Sequence, residues 1–185
     1  MAADVSSKTD LPSAWLVRFS PYLGEGARVL EIACGNGRNT RLLAGLGCTV
    51  TAVDINEPPQ RLPGVRYVLH DLEGPDWIFE PETFDVVIGI NYLWRDRFQN
   101  LLNCVNPGGL FLYETFTGRQ SMLGFGPKNP QHFLQDGELL RLMPDNWHIL
   151  AFEDGRTDSD RHLQRIAAVK PLRQEFPRLD VCARR

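Results

Sequence analysis

Short apolar runs alternate with amphipathic stretches along this chain, a pattern typical of α/β proteins. The runs that predict strands of one sheet cover residues 28–33, 48–54, 65–69, 84–90 and 110–116. Residues 84–90, Phe-Asp-Val-Val-Ile-Gly-Ile, are almost continuously apolar, as expected of a buried central parallel strand. Apolar residues at helical spacing predict helices over 38–46, 96–105 and 136–143, and a short helix within 11–23.

The last third of the chain changes this alternation. Two further strands are predicted at 147–152 and 162–169, and the short polar turn 153–161 between them makes them an antiparallel pair. Segment 55–64 carries three prolines and is too short for a full crossover helix, so we expect a reduced helix or an irregular loop. Segment 117–131 is rich in glycine and proline, and we expect a loop over the carboxyl end of the sheet.

A glycine-rich turn joins the first strand to the helix that follows. Gly35 and Gly37 have no Cβ atom, so backbone N–H groups there can approach a ligand closely. The next helix directs its partly positive end to the same place. Glu31 adds an acid at the end of the strand. A strand, a glycine turn and a helix in this order predict a site for a nucleotide-like ligand.

The residues around this turn bear on which ligand it holds. A dinucleotide fingerprint requires a third glycine or alanine, and this chain has Thr40 there. The Glu31 carboxylate would repel a pyrophosphate and suits a ligand with an ammonium group. Asp54 ends the second strand, where a carboxylate can accept both hydroxyls of a ribose. Asp54 therefore fits both a dinucleotide and a nucleotide-like ligand with an ammonium group. The alternative interpretation of Asp54 is a turn residue that ends the strand and binds no ligand.

Glu31-x-x-x-Gly35-x-Gly37, followed by Asp54, resembles the first two motifs of the Rossmann-like (class I) S-adenosylmethionine-dependent methyltransferases. The Asn-Pro-Gly-Gly turn at 106–109 is a further hallmark of this superfamily. Within it, the chain is most similar to the small bacterial tellurite-resistance type, through Cys-Gly-Asn-Gly-Arg-Asn at 34–39, His-Asp-Leu at 70–72, and the run from Asn-Pro to Gly-Glu-Leu-Leu at 129–140. The resemblance covers nearly the whole chain. It implies an α/β three-layer Rossmann-like sandwich with a mostly parallel seven-stranded sheet and an antiparallel last hairpin.

The resemblance also implies a set of site residues. Asp71 and Leu72 would contact the adenine edge, and Asn91 would lie near the methionine part of the cofactor. The implied cofactor-binding residues are Glu31, Ala33, Gly35, Gly37, Asp54, Ile55, Asp71, Leu72 and Asn91. The candidates for the acceptor pocket are Trp94, Arg95, Tyr113, Phe116, Met122 and Phe125. No pair of residues indicates a general base, and His132 is a candidate only by its position in the loop.

Composition narrows the range of partners. A chain of 185 residues is expected to form one domain, with flexible tails at 1–10 and 172–185. The net charge of −3 favours neither nucleic acid nor an anionic membrane as the main partner. The four cysteines show no metal-binding spacing, which argues against a metal site and favours a cytoplasmic protein with reduced thiols. No apolar run is long enough for a membrane span.

The resulting hypothesis is an enzyme that transfers a methyl group from S-adenosylmethionine to a small molecule by in-line displacement. Two alternatives remain open. One is a non-catalytic relative that acts through a partner, and the other is a nicotinamide-dependent oxidoreductase, which Thr40 and Glu31 disfavour. The sequence identifies neither the acceptor nor the oligomeric state.

Overall fold

Seven strands form one sheet in the computed structural model, which describes residues 10–172. The strands are β1 (Arg28–Ile32), β2 (Thr49–Asp54), β3 (Arg66–Leu69), β4 (Phe84–Ile90), β5 (Val105–Phe116), β6 (His148–Arg156) and β7 (His162–Val169). The helices are α1 (Ala14–Phe19), α2 (Arg38–Gly45), α3 (Arg95–Asn103) and α4 (Glu138–Arg141), with 3₁₀ turns at Ser20–Tyr22, Gly118–Leu123 and Pro130–His132. The predicted tails lie almost entirely outside the described residues, as does Cys182.

The strand order is β3-β2-β1-β4-β5-β7-β6. The first five strands are parallel, whereas β7 runs antiparallel to both β5 and β6. The predicted fold class is therefore confirmed, including the antiparallel last hairpin. The chain reverses its direction of progress across the sheet between β1 and β4. In open α/β sheets, ligands bind outside the carboxyl ends of the strands at such a switch point.

Both faces of the central strands are buried, which gives the molecule three layers. On one face, Leu30 and Val87 pack with Phe98 of α3. On the other face, Val29 and Ile88 pack with Trp15 of α1. Because successive side chains of a strand point to opposite faces, burial of both faces requires an almost unbroken apolar run. This explains the composition of β4.

Several element boundaries differ from the prediction. β5 begins at Val105 and includes the Asn-Pro-Gly-Gly turn, because Val105 pairs with Phe84 before a shift in register. The predicted turn at 153–161 is wrong in its first part, since β6 continues to Arg156 opposite His162. The helix predicted at 136–143 is reduced to α4, because Gly137 takes a left-handed φ of 65° just before it.

The two loop predictions have different outcomes. Segment 55–64 contains no helix, as its prolines suggested. Segment 117–131 is more ordered than a plain loop, because it contains one 3₁₀ turn and most of a second.

The segment before α1 is anchored beside the switch point. The Ser13 hydroxyl caps α1 by accepting from the Trp15 N–H at 3.1 Å, and it donates to Glu114 Oε1 at 3.0 Å. The Ser13 N–H donates to Asn39 Oδ1 of α2 at 2.8 Å. The Trp15 indole N–H donates to the Ile166 carbonyl of β7 at 3.0 Å. Trp15 is therefore a packing residue that holds α1 against the sheet.

Candidate functional site

Strained backbone is concentrated at the carboxyl ends of β1 and β4. Gly35 and Gly37 have φ angles of 55° and 75°, in the left-handed region that glycine tolerates. Ala33 at 50° and Asn91 at 60° take the same conformation without being glycine. Such strain persists where the surrounding structure enforces it, and it is common at ligand sites. The cluster marks this edge of the sheet independently of the glycine motif.

The glycine turn is fixed to the end of β2 by Asp54. The Gly35 N–H donates to Asp54 Oδ2 at 2.9 Å, and the Asn56 N–H donates to Oδ1 at 2.9 Å. Each carboxylate oxygen keeps a second lone pair that can accept from a ligand hydroxyl. A Cβ atom added to Gly35 would meet no atom within 4 Å. The space above the turn is therefore open to a ligand, and the glycine is required by its φ angle.

Glu31 lies one residue before the end of β1, and its side chain is buried. It lies within β1 beneath α2, and only 1% of it is exposed. The Thr40 hydroxyl donates to Glu31 Oε2 at 2.6 Å, whereas the buried Oε1 has no partner among the described residues. Burial raises the pKa of this carboxyl to about 7, against the opposing effect of the Thr40 hydrogen bond. An unpartnered carboxylate oxygen at this place fits a ligand that carries an ammonium group.

The cofactor-binding residues predicted at the ends of β2 and β3 lie at this same edge of the sheet, but their side chains differ in exposure to solvent. Ile55 is 60% exposed directly after Asp54. Asp71 is exposed, and its Oδ1 accepts from the Glu73 N–H at 2.9 Å. The Leu72 side chain is buried in the core, so only its backbone could meet a ligand.

Tyr113 is a correction to the predicted acceptor pocket. Its side chain is fully buried in the core, and its hydroxyl donates to the Tyr92 carbonyl at 2.7 Å. It packs against Gly89 of β4, where an added Cβ would lie 2.7 Å from Tyr113 Cδ2. Tyr113 therefore supports the chain where it leaves β4 and does not line a pocket.

The other acceptor-pocket candidates are only partly brought together. Phe116 is 8% exposed at the end of β5, and Met122 is 76% exposed on a 3₁₀ turn. The half-buried Trp94 has its ring 6.1 Å from that of His132. His132 Nε2 is 3.5 Å from Glu73 Oε1. Arg95 and Phe125, by contrast, line one cavity together.

This cavity has a volume of about 1010 Å³ and lies under segment 117–136. We call it the loop cavity. Its walls include Arg95, Arg119, Phe125, Lys128, Phe133, Leu134 and Asp136.

Gln120 organises the loop cavity, and no sequence pattern marked it. Its side chain is fully buried, although it is polar, whereas the apolar Met122 and Phe125 of the same segment are exposed. Its amide donates to the Phe125 carbonyl at 3.0 Å, and its Oε1 accepts from the His162 N–H at 2.8 Å. Gln120 thus holds the loop onto the start of β7.

Arg95 fixes the other end of the same loop. Its guanidinium donates to both oxygens of Glu138 at 2.6 and 2.9 Å and to the Phe133 carbonyl at 2.9 Å. The pKa of Arg95 is raised above its ordinary value, first because of the Glu138 hydrogen bond. Arg95 therefore joins α3, the loop and α4.

Comparison with known proteins identifies the family. Residues 6–168 match the profile of the methyltransferase domain family. The chain belongs to this family. It is 28% identical over 136 residues to the ubiquinone biosynthesis O-methyltransferase of Pseudomonas syringae pv. tomato, an alignment that covers 66% of this chain and 56% of that protein. The chain therefore spans little more than half the length of this curated relative.

Solved structures of similar fold agree with the family assignment. TehB from Haemophilus influenzae has a TM-score of 0.65 at 20% identity, covering 86% of this chain and 62% of its own. The 1,6-didemethyltoxoflavin-N1-methyltransferase of Burkholderia thailandensis has a TM-score of 0.66 at 21% identity, covering 90% and 81% of the two chains. The latter was solved with 1,6-didemethyltoxoflavin and S-adenosylhomocysteine bound. At these identities the likeness shows the fold.

No helix within residues 10–172 is long and apolar enough to cross a membrane. Over the same residues, no three side chains of His, Cys, Asp or Glu gather as metal ligands.

Proposed function

We propose that this chain is an S-adenosylmethionine-dependent methyltransferase that acts on a small molecule. The observation that carries the proposal is the glycine turn held by Asp54 at the switch point of the sheet. Membership in the methyltransferase domain family supports it. The left-handed backbone at Ala33 and Asn91 indicates that the same edge is built for a ligand.

The residues at this edge fit the cofactor. Asp54 would hold the ribose hydroxyls, Asp71 the adenine edge, and the buried Glu31 the ammonium group through its unpartnered oxygen. Gly35 and Gly37 would let the backbone approach the cofactor closely. The bound cofactor supplies an activated methyl group on its sulfonium. The remaining task of the chain is to exclude water and align the acceptor.

A small-molecule acceptor is supported by the names of the relatives, an O-methyltransferase of ubiquinone biosynthesis and an N1-methyltransferase of a toxoflavin precursor. The net charge of −3 gives no reason to propose a nucleic-acid partner. We also propose a cytoplasmic location, since Cys34, Cys48 and Cys104 are free thiols.

A nicotinamide-dependent oxidoreductase fits less well. The third position of the dinucleotide-binding fingerprint is Thr40 instead of glycine or alanine, and its hydroxyl donates to Glu31. A carboxylate beneath the turn also disfavours a pyrophosphate. The antiparallel β7 and β6 also depart from a fully parallel dinucleotide-binding sheet. A non-catalytic relative would retain the cofactor residues and lack turnover.

Calorimetric titration with S-adenosylmethionine and with NADH tests the proposal. We expect binding of the first alone. Asp54→Ala should weaken it at least tenfold, because two charge-assisted hydrogen bonds are lost. Asp54→Asn keeps an oxygen for the Gly35 N–H and isolates the loss of charge. The matched control is Asp145→Ala, which removes an exposed carboxylate from the turn before β6.

Each outcome decides between the hypotheses. Binding of NADH alone, or of neither cofactor, contradicts the proposed function. Binding of S-adenosylmethionine that Asp54→Ala and Asp145→Ala affect equally contradicts the assigned site. Binding without methyl transfer to any acceptor in a broad screen favours the non-catalytic alternative.

A further inference from the structure

We propose that the loop cavity binds the methyl acceptor, and that this acceptor is a flat, ring-bearing molecule with one negative charge, such as an aromatic carboxylate. The inference rests on the proposed function and goes beyond it by naming the class of substrate.

The walls of the cavity suit a flat apolar body. Phe125, Phe133 and Leu134 face it together with Pro127 and Pro130. Two aromatic rings and two proline rings offer broad apolar surfaces against which a ring can pack. The volume of about 1010 Å³ is at the upper end of ordinary small-molecule sites.

The charged residues of the cavity leave one cation uncompensated. Arg95 is neutralised by Glu138 at 2.6 Å, and Arg119 by Asp136 at 2.8 Å. Lys128 also lines the cavity and has no carboxylate within 4 Å among the described residues. A single anionic group on the ligand would therefore find a single free ammonium group.

Residues that line the cavity follow closely after β4 and β5, at the edge of the sheet where the cofactor residues are proposed. Gly118, which lines the cavity, comes two residues after the end of β5, and its N–H donates to the Leu134 carbonyl at 2.9 Å. The Leu134 N–H donates to the Phe116 carbonyl at 2.9 Å. Arg95 comes only four residues after the strained Asn91 at the end of β4. A molecule in the cavity would thus lie beside the carboxyl ends of β4 and β5.

The walls are held by hydrogen bonds from buried or paired side chains. Gln120 holds the Phe125 carbonyl, and Arg95 holds the Phe133 carbonyl. Both aromatic rings are therefore carried by a backbone that is fixed to the core of the molecule. A site held in this way loses less entropy when a rigid ligand binds than a free loop would.

A pair of probes that differ only in charge tests the inference. The protein, with and without S-adenosylhomocysteine, is titrated calorimetrically with naphthoate and with naphthamide. We expect naphthoate to bind about fivefold more tightly than naphthamide, as is typical of a partly exposed ion pair. Lys128→Gln should remove this preference by weakening naphthoate binding alone, and Lys128→Arg should restore it.

Two further variants separate local from general effects. Arg66→Gln also removes one positive charge, but Arg66 pairs with Glu82 at the opposite end of the sheet, so it should leave both affinities unchanged. Phe125→Ala should weaken both probes alike, because it removes a wall that both would contact. In a turnover screen of aromatic acids and their amides, the acids should be the acceptors and should lose kcat/KM in Lys128→Gln.

The inference and the proposed function fail in different ways. Three results would overturn the proposed acceptor class. They are equal affinity for the two probes, equal effects of Lys128→Gln and Arg66→Gln, or turnover of neutral acceptors that Lys128→Gln leaves unchanged. Absence of S-adenosylhomocysteine binding overturns the proposed function instead, and the titration of the unloaded protein then still decides whether the cavity prefers the anion.

Discussion

The Glu31 carboxyl lies beneath the glycine turn, and burial raises its pKa from 4.5 to about 7. Between these values the folded protein keeps a proton that the unfolded chain loses. Stability therefore falls as the pH rises through this window and stays lowered above it. At about 1.4 kcal/mol per pKa unit, the shift corresponds to roughly 3 kcal/mol.

Glu31→Gln should remove this pH dependence. The amide can still accept from the Thr40 hydroxyl, and it has no proton to lose. As the pH rises from about 5 to about 8, the free energy of unfolding of the wild type should fall by up to about 3 kcal/mol relative to that of the variant. Urea unfolding at both pH values measures the difference. The exposed Glu25 provides the control, and a Glu31→Gln profile parallel to that of Glu25→Gln would refute the burial argument.

At the scale of the element, β4 depends on a glycine in its buried interior. A Cβ atom at Gly89 would lie 2.7 Å from Tyr113 Cδ2 and 3.1 Å from Ile32 Cδ1. Gly89→Ala should therefore cost about 1–3 kcal/mol of stability, as overpacking of a core usually does. Chemical denaturation measures the loss.

Gly155→Ala is the matched control for this prediction. Gly155 also lies in a strand, and an added Cβ there would meet no atom within 4 Å. Its substitution should change the free energy of unfolding by less than about 0.5 kcal/mol. Similar losses in the two variants would show that the close packing of Tyr113 on Gly89 is not the cause.

The loop between β5 and α4 depends on the buried amide of Gln120. Gln120→Ala would leave the His162 N–H and the Phe125 carbonyl without their partner. We expect limited proteolysis within 118–131 to become several-fold faster, because the loop opens locally while the sheet stays folded. The control is Gln99→Ala on the exposed side of α3. Unchanged cleavage in the Gln120 variant would contradict the role given to this residue.

At the scale of the whole molecule, the proposed cofactor site lies at the ends of β1, β2 and β4, so binding should stabilise the entire fold. S-adenosylmethionine at a hundredfold excess over its Kd should add about 2.7 kcal/mol, which raises Tm by about 5–10 °C for a chain of this size. Thermal unfolding with and without the ligand measures the shift. At the same ligand concentration, Asp54→Ala should reduce the shift to about half or less, because a Kd weakened at least tenfold leaves at most about a tenfold excess. A shift with NADH instead would favour the oxidoreductase.

The strands and the glycine turn could be predicted from the sequence because both depend on local patterns: apolar runs, turn residues and acids at strand ends. The mixed seven-stranded sheet was implied by the family resemblance, since the order of strands depends on contacts between distant segments. The burial of the Glu31 and Tyr113 side chains could not be predicted from local patterns. Both lie in strands whose two faces are buried, and sequence alternation does not reveal which polar groups such a sheet encloses. Gln120 and the start of α4 are held by contacts between distant segments, since Gln120 accepts from the His162 N–H and the Gly137 N–H donates to Asp154, and no local pattern encodes such contacts.

Gln120 and Arg95 each hold one end of the loop by hydrogen bonds, and we call these two side chains the clamps. The residues between them form the interior of the loop. Residues 121–130 lie between the two clamps and contribute Phe125 and Lys128 to the cavity. The two clamps hold the loop in place, whereas Phe125 and Lys128 of the interior would set the proposed acceptor preference, so the two roles fall mainly on different positions. Related chains could therefore acquire new acceptors by replacing this segment alone, and an engineer could graft a foreign segment between the same clamps without redesigning the cofactor site.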